Sequence, residues 1–256
     1  MLKIENTEVV GWEAAIRGMR NPMNSWEKSD SDYRPILCKR CDNCTSYQLE
    51  QWEDCEKCEV EMETSLHNGF MIGPNDLDLM TRLRNAGTDH RKFMRMITVY
   101  VDVTAPLYWW KEFDTYKVGT VANSCSTMHK IHAKEFTIED FSHEHLTCET
   151  DGRWVNADGA VSLCSSWDFC QITCNVLNHY RELYLKTKDK KYWWQMIQLL
   201  PSSYNQKRTV MLNYEVLANI YKSRKNHKLD EWHDFCDWIE SLPYSEIITG
   251  EENNIE

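Results

Sequence analysis

The run ITVYVDV at residues 97–103 constrains the fold of this chain more than any other feature. Most of its residues are β-branched or aromatic, and its apolar positions alternate, which is typical of a strand with one buried face. Pro106 follows soon after the run and predicts the end of that strand. Near the N-terminus, the alternation of Leu2, Ile4 and Val9 predicts a further strand.

Helical patterns fill much of the remaining chain. Apolar residues at three- and four-residue spacing predict helices over residues 12–19, 107–116, 167–185, 191–200, 213–225 and 230–242. Another helix is predicted where Asp76 can act as its cap and Gly87 as its stop. Few strands beside many helices place the chain in the α+β class. We expect residues 1–256 to form a single domain with a sizeable core.

The charge balance limits the partners of this chain. It has 29 basic and 40 acidic residues and a formal net charge of -11. Because a strongly acidic protein lacks the field that holds polyanions, we expect no duplex nucleic acid partner. No apolar stretch has the length of a membrane span, and the N-terminus lacks a signal-peptide pattern. We therefore expect a cytoplasmic protein with no membrane association.

A cysteine-rich insertion is predicted at residues 36–62. Two C-x-x-C pairs separated by a short segment allow four thiolates to converge on Zn²⁺ as a tetrahedron. The candidate ligands of this structural zinc site are Cys38, Cys41, Cys44, Cys55 and Cys58. Four of these suffice, so either Cys38 or Cys44 is spare. Two alternatives stay open, namely reduced, exposed thiols and a redox-active C-x-x-C pair.

The segment FDTYKVGTVANSCSTMH, residues 113–129, is the predicted ligand-binding segment. It gathers hydroxyl and amide side chains around Lys117 and His129. Such a segment offers many hydrogen-bonding groups to phosphate oxygens, and lysine adds a point charge. The pattern favours a nucleotide or a flavin as the ligand. A polar surface loop is the alternative interpretation.

The order of these features resembles the flavin-dependent thymidylate synthases, the ThyX family. That family has a Gly-His-x-Ser-like turn, a strand, and a helix leading into the motif R-H-R-x-x-S-x-N-E-x-S-x-R-Y. Here the turn corresponds to residues 87–90 and the strand to residues 97–103. The motif positions are held, with one extra residue before Asn123, by Thr115, Tyr116, Lys117, Thr120, Asn123, Ser124, Ser126, Met128 and His129.

A second similarity lies downstream. NYEVLANIYKSRKNHKLDEWHDF resembles the family's helical segment N-x-R-x-L-x-x-F-x-x-x-R, with Asn213 and Arg224 at matching positions and His227 nearby. The resemblance implies a central antiparallel sheet with several long helices. It also implies a homo-oligomer, a tetramer, with its sites between subunits.

The resemblance also implies an activity. FAD would relay a one-carbon unit from a folate to a pyrimidine deoxynucleotide such as dUMP and deliver a hydride that comes from NADPH. The catalytic candidates are Ser126 and Arg224, and the nucleotide-binding candidates are Lys117, Ser124, Ser126, His129 and Arg224. The flavin-binding candidates are His90, Thr115, Tyr116, Lys117, Asn123, Asn213 and His227.

This sequence departs from the family motif at its charged positions. Only Lys117 remains of the R-H-R charges, and Met128 stands where the motif has its last arginine. Lysine does not reproduce the bidentate fork of a guanidinium. Arg17 and Arg20 are candidates to replace the missing arginines. The competing interpretation is a zinc-stabilised nucleotide-binding or assembly protein that keeps the fold without catalysis.

Overall fold

The computed structural model of the chain describes residues 2–35, 68–150, 152–155 and 161–250. Short 3-10 helices lie at Asn21–Met23, Trp26–Lys28, Arg91–Arg95 and Ile138–Asp140. In chain order the other elements are β1 (Lys3–Val10), α1 (Trp12–Arg20), β2 (Asp32–Pro35), β3 (Asn68–Met71), α2 (Pro74–Asn85), β4 (Thr98–Pro106), α3 (Leu107–Phe113), β5 (Val121–Ser124), β6 (Gly152–Val155), β7 (Val161–Cys164), α4 (Ser166–Thr187), α5 (Lys190–Leu199), β8 (Asn205–Asn213), α6 (Tyr214–Arg224), α7 (Asp230–Glu240) and α8 (Glu246–Thr249).

These elements fall into two compact units. The smaller unit is Gly11–Met96, and the larger unit contains Met1–Val10 and Ile97–Glu256. Among the described helices, none combines the length and the apolar character needed to cross a bilayer.

The predicted zinc ligands lie outside the described residues. These are Cys38, Cys41, Cys44, Cys55 and Cys58. In the part of the chain that is described, no group of three or more His, Cys, Asp or Glu side chains could hold a metal ion. The zinc site therefore stays a prediction.

A four-stranded antiparallel sheet with the order β1-β4-β8-β5 is the centre of the larger unit. β4 and β8 pair along their whole length, from Thr98 opposite Asn213 to Pro106 opposite Asn205. β4 buries every second residue, as its alternating sequence predicts, and its buried positions include Val99, Val101 and Val103. The α+β class and the central antiparallel sheet are confirmed.

Aromatic side chains of α3 connect the sheet to the C-terminal helices. Trp109 and Phe113 are almost fully buried. The ring centroid of Trp109 lies 4.7 Å from that of Trp232 on α7. Trp110 Nε1 donates a hydrogen bond of 2.9 Å to the carbonyl of Gln206 in β8. Because buried indole rings dominate core energetics, this packing fixes the C-terminal end of α3 against α7.

A second core lies between α4, α5 and the loop between β5 and β6. Phe136 and Phe141 of this loop pack with Leu177 of α4 and Met196 of α5. Asn178 on α4 accepts a hydrogen bond from the Phe136 amide and donates one to the Phe136 carbonyl, both at 2.8 Å. The loop that follows β5 is therefore held on α4 and α5.

A buried ion pair organises the smaller unit. Arg20 Nε of α1 donates to Asp76 Oδ1 of α2 at 2.6 Å, and the two side chains are 5% and 0% exposed. The other carboxylate oxygen accepts from the Ser29 and Ser31 hydroxyls. Burial alone would raise the pKa of Asp76, but the bonds from Ser29, Ser31 and Arg20 outweigh it and hold that pKa below its usual value. Asp76 is thus not the predicted helix cap, since the capping position of α2 is Gly73.

We expect Asp76→Ala to lower the free energy of unfolding by about 3–5 kcal/mol, because Arg20 would keep a buried charge without its carboxylate. Asp78→Ala on the same helix is the control, since it removes only an exposed pair with Arg82. Asp78→Ala should lower the free energy of unfolding by less than about 1 kcal/mol. Denaturant unfolding followed by circular dichroism measures both variants, and equally small losses would contradict the structural role of Asp76.

Candidate functional site

The predicted ligand-binding segment begins with a tight turn after α3. Thr115 Oγ1 donates to the Glu112 carbonyl at 2.7 Å and closes the end of the helix. Gly119 has a φ of 79°, in the left-handed region that favours glycine. A Cβ at Gly119 would lie 2.9 Å from Asn213 Nδ2. The turn therefore approaches the N-terminus of α6 closely.

The Glu112 carboxylate lies at the centre of a group that includes several of the predicted site residues. Arg224 Nη1 donates to Glu112 Oε2 at 2.7 Å, and Arg224 Nε donates to the Tyr116 hydroxyl at 3.0 Å. Trp232 Nε1 donates to the same oxygen of Glu112 at 3.0 Å. His227 Nε2 lies 3.4 Å from that oxygen. We call these five residues the Glu112 cluster.

The charges of the Glu112 cluster are largely balanced within it. The Arg224 side chain is 17% exposed, and its guanidinium carbon lies 4.6 Å from the ring centroid of Trp232. Two of its five N–H groups bond to Glu112 and Tyr116, so donors remain for a ligand. The sequence predicted Tyr116, Arg224 and His227 but missed Glu112 and Trp232. No local pattern marks these two residues, because they meet the site only through the packing of α3 on α7.

Asn213 has a structural function at the start of α6. Its side-chain oxygen accepts a hydrogen bond of 3.1 Å from the Val216 amide, which makes it the N-cap of the helix. Its amide nitrogen faces the turn at Gly119. The family-matched asparagine therefore joins the turn after α3 to the helix that carries Arg224.

β5 presents Asn123 and Ser124 at the edge of the sheet. Both residues are exposed, and Ser124 lies opposite Arg208 of β8. Arg208 Nη1 donates to Asp114 Oδ1 at 2.7 Å, and its guanidinium carbon lies 4.2 Å from the ring centroid of Trp110. Sequence reasoning missed Arg208, because it belongs to no motif and its position beside β5 depends on strand pairing.

The far end of β5 leads into a second turn. Ser126 Oγ accepts hydrogen bonds from the amides of Met128 at 3.2 Å and His129 at 2.9 Å. Trp193 Nε1 on α5 donates to the Met128 carbonyl at 2.9 Å. Ser126 and His129 are exposed. This turn is therefore fixed in shape while its predicted site residues face solvent.

The predicted residues of the larger unit form two groups, at the two ends of β5. β5 has four residues and is about 13 Å long, and it lies between the two groups in the chain. Asn123 and Ser124 lie on the strand between them. The first group contains Thr115, Tyr116, Lys117, Asn213, Arg224 and His227, and the second contains Ser126 and His129.

The other candidates lie in the smaller unit. His90 is exposed and immediately precedes the 3-10 helix Arg91–Arg95. Arg20 is buried, and besides Asp76 it bonds to two backbone carbonyls. Arg17 pairs with Glu13 at 2.6 Å on the surface. Arg20 therefore stabilises its own unit and does not replace a motif arginine.

Glu112→Ala should lower the free energy of unfolding by about 2 kcal/mol, because Arg224 and Trp232 both lose their acceptor. The control is Glu182→Ala, which removes an exposed carboxylate of α4. Its expected cost lies within about 0.5 kcal/mol of zero. Chemical denaturation compares the two, and a Glu112→Ala loss no larger than the control would show that the cluster contributes nothing to stability.

Solved structures with the same fold are known. The flavin-dependent thymidylate synthase ThyX from Helicobacter pylori, complexed with FAD and dUMP, matches with a TM-score of 0.60 and 12% identity over 97% of this chain and 98% of that chain. A second H. pylori ThyX structure with FAD and dUMP matches with a TM-score of 0.58 and 12% identity over 98% of both chains.

The UMP/dUMP methylase PolB from Streptomyces cacaoi, bound with 5-Br dUMP, matches with a TM-score of 0.51 and 12% identity over 98% of this chain and 95% of that chain. No protein-family model and no curated protein matches the sequence. At 12% identity the structural likeness concerns the fold. This likeness confirms the family resemblance at the level of the fold, and the chain has the fold of the flavin-dependent thymidylate synthases.

Proposed function

We propose that this chain binds FAD and a pyrimidine deoxynucleotide such as dUMP, and that it modifies the nucleotide by one-carbon and hydride transfer. The observation that carries the proposal is the likeness, over 97% of the chain, to a synthase complexed with FAD and dUMP. The shared fold with a UMP/dUMP methylase supports it further. By the same resemblance, a folate donates the carbon, NADPH donates the hydride, and the protein is a cytoplasmic transferase.

The turn between α3 and β5 suits a flavin phosphate. Thr120 Oγ1 is buried and has no hydrogen-bond partner in the described part of the chain, which is costly unless a ligand satisfies it. Three residues earlier, Lys117 is exposed and pairs with no carboxylate among the described residues. A hydroxyl beside an ammonium suits phosphate oxygens. We assign the flavin phosphates to this turn, with Thr115 and Asn123 beside it.

The Glu112 cluster would orient the reacting rings. When bound, FAD supplies the hydride and carries the one-carbon unit. Arg224 is held by Glu112 and Tyr116, so its remaining N–H groups are preorganised to donate to a pyrimidine carbonyl. The amide nitrogen of Asn213 and the His227 ring are the proposed flavin contacts in the larger unit. For the smaller unit, the family motif proposes His90 as a flavin-binding residue.

The second turn would hold the nucleotide. Ser126 Oγ accepts two backbone hydrogen bonds, which fix its position and leave its hydroxyl hydrogen for a ligand oxygen. Ser124 and His129 are exposed on either side of it. We propose that Ser126 touches the reacting nucleotide, with Lys117 and Arg224 completing the site.

We propose that this site is completed by a second copy of the chain. Within one chain, Ser126 and Arg224 belong to groups at opposite ends of β5, and we propose that Ser126 of one chain and Arg224 of another act on the same nucleotide. Apolar side chains on α4 and α5 support self-association, since Ile172 is 49%, Trp194 42% and Leu199 46% exposed. The family resemblance favours a homotetramer.

The alternative function is a zinc-stabilised nucleotide-binding or assembly protein without catalysis. The balanced charge of Arg224 and the presence of Met128 at a motif arginine position favour it. A structural zinc ion bound by four of the five cysteines Cys38, Cys41, Cys44, Cys55 and Cys58 is compatible with either function. Zinc without flavin in the purified protein, together with no thermal shift on addition of dUMP, would favour this alternative.

Lys117→Met should weaken FAD binding about tenfold, because it removes the cation beside Thr120. A fluorescence titration with FAD measures the affinity. Lys111→Met is the matched control, since Lys111 is an exposed lysine of α3 that lies outside the turn.

We expect Lys111→Met to bind FAD like the wild-type protein. If Lys117→Met does so as well, the assignment of the flavin phosphates to this turn is wrong. If the wild-type protein binds no FAD, the flavin-dependent function itself is wrong.

Light scattering of the purified protein should give four times the chain mass of 30.4 kDa. Ile172→Asp should shift this mass downward, because it places a charge on the proposed apolar interface. Gln171→Asp, the exposed neighbour on another side of α4, is the control and should leave the assembly intact. A monomeric wild-type protein would contradict the shared site.

A further inference from the structure

A groove beside the second turn is lined by basic and aromatic side chains. Its volume is about 310 Å³, which is the size of a small ligand pocket. Besides Met128, the lining side chains are His129, His132, Tyr184, Lys188, Lys190 and Trp193. We call this feature the lysine groove. The hydrogen bond from Trp193 Nε1 to the Met128 carbonyl joins its two walls.

Two lysines give the lysine groove a local positive charge on an otherwise acidic protein. Lys188 follows α4 and Lys190 begins α5, and both side chains are exposed. Their Nζ atoms lie over aromatic rings, 5.7 Å from the Tyr184 centroid and 5.9 Å from the Trp193 centroid. Neither lysine pairs with a carboxylate among the described residues.

Asp189, which lies between these two lysines in the chain, bonds to Lys191 instead. Asp189 accepts a hydrogen bond from the Lys191 amide at 3.0 Å and pairs with Lys191 Nζ at 3.2 Å. It acts as the N-cap of α5. Asp189 therefore leaves the charges of Lys188 and Lys190 available to a ligand.

His132 adds an unsatisfied hydrogen-bonding group. Its Nδ1 is buried and has no partner in the described part of the chain. Its ring meets that of Tyr184 edge-on, with 4.9 Å between centroids. Burial, followed by the charges of Lys188, Lys130 and Arg181, lowers the pKa of His132. A neutral imidazole with its hydrogen on Nδ1 can donate to an anion here.

We infer that the lysine groove binds the phosphate of a nucleoside monophosphate, with Lys188 and Lys190 as its counter-charges and His132 Nδ1 as a donor. The inference rests on the proposed nucleotide function and identifies the chain's own residues for the phosphate. Met128, which stands at the motif's last arginine position, lines the same groove. The charge missing from the motif is thus supplied by the turn between α4 and α5. Trp193 and Tyr184 flank the sugar and base side of the ligand.

Binding of dUMP and of deoxyuridine to the full-length protein, measured by calorimetry, tests this inference. The double substitution Lys188→Met and Lys190→Met should weaken dUMP binding at least about tenfold and leave deoxyuridine binding unchanged, because only dUMP carries the phosphate. Lys186→Met is the control, since Lys186 is an exposed lysine of α4 outside the groove.

A second readout follows His132 directly. In NMR titrations of the wild-type protein with inorganic phosphate, the pKa of His132 should rise, because a bound anion stabilises the imidazolium. The same addition should leave that pKa unchanged in the double variant. If Lys188 and Lys190 had only a structural role, phosphate would shift the pKa of His132 equally in the wild-type protein and in the double variant.

The results of these experiments test the lysine groove and the proposed function independently of each other. Unchanged dUMP affinity in the double variant overturns the groove inference, while FAD binding by the same sample leaves the proposed function intact. If the wild-type protein binds neither FAD nor dUMP, yet phosphate shifts His132 only when the lysines are present, the phosphate site is supported and the proposed function fails. Equal losses for dUMP and deoxyuridine overturn the assignment to phosphate.

Discussion

β4 and β8 pair along nine residues each, and a helix follows directly from each strand. Because the strands are antiparallel, α3 and α6 begin at opposite ends of this ladder. α6 has 11 residues and is therefore about 16 Å long, which carries Arg224 back toward Glu112 on α3. The contacts of the Glu112 cluster thus depend on the register of β4 and β8, since a shift of one residue would move both helices.

The charged groups of the site are arranged differently from the family motif. Arg224, which the family resemblance matches to a motif arginine, donates hydrogen bonds to Glu112 and Tyr116, and its charge is balanced by Glu112. Three lysines among the proposed ligand contacts pair with no described carboxylate: Lys117 on the turn after α3, and Lys188 and Lys190 on the turn between α4 and α5. Lysine provides a point charge without a fixed fork, so a phosphate would be held by charge and by neighbouring hydroxyl or imidazole donors.

Local sequence pattern predicted β4 and the long helices, but it did not predict β8 or β5. The first half of β8 is polar, and it stays extended because its side chains bond across the sheet. Thr209 donates to Asp102 at 2.6 Å, and Lys207 pairs with Asp102 at 3.1 Å. Hydrogen bonds from Thr209, Asn6 and Lys207 lower the pKa of Asp102 to about 2. Such cross-strand bonds join residues that are far apart in the chain, so a local sequence pattern cannot predict them. Likewise, the order of motifs predicted Tyr116 and Arg224 as site residues. Glu112 and Arg208 were recognised only from their contacts in the folded structure.

We propose that both ends of β5 contact ligands, with flavin at the turn of Lys117 and Thr120 and nucleotide at the turn of Ser126. A crystal structure of the protein grown with FAD and dUMP tests this most directly. We expect flavin phosphates within hydrogen-bonding distance of Thr120 Oγ1, and dUMP within hydrogen-bonding distance of Ser126. Ligands bound elsewhere, with both turns in contact with solvent alone, would contradict it.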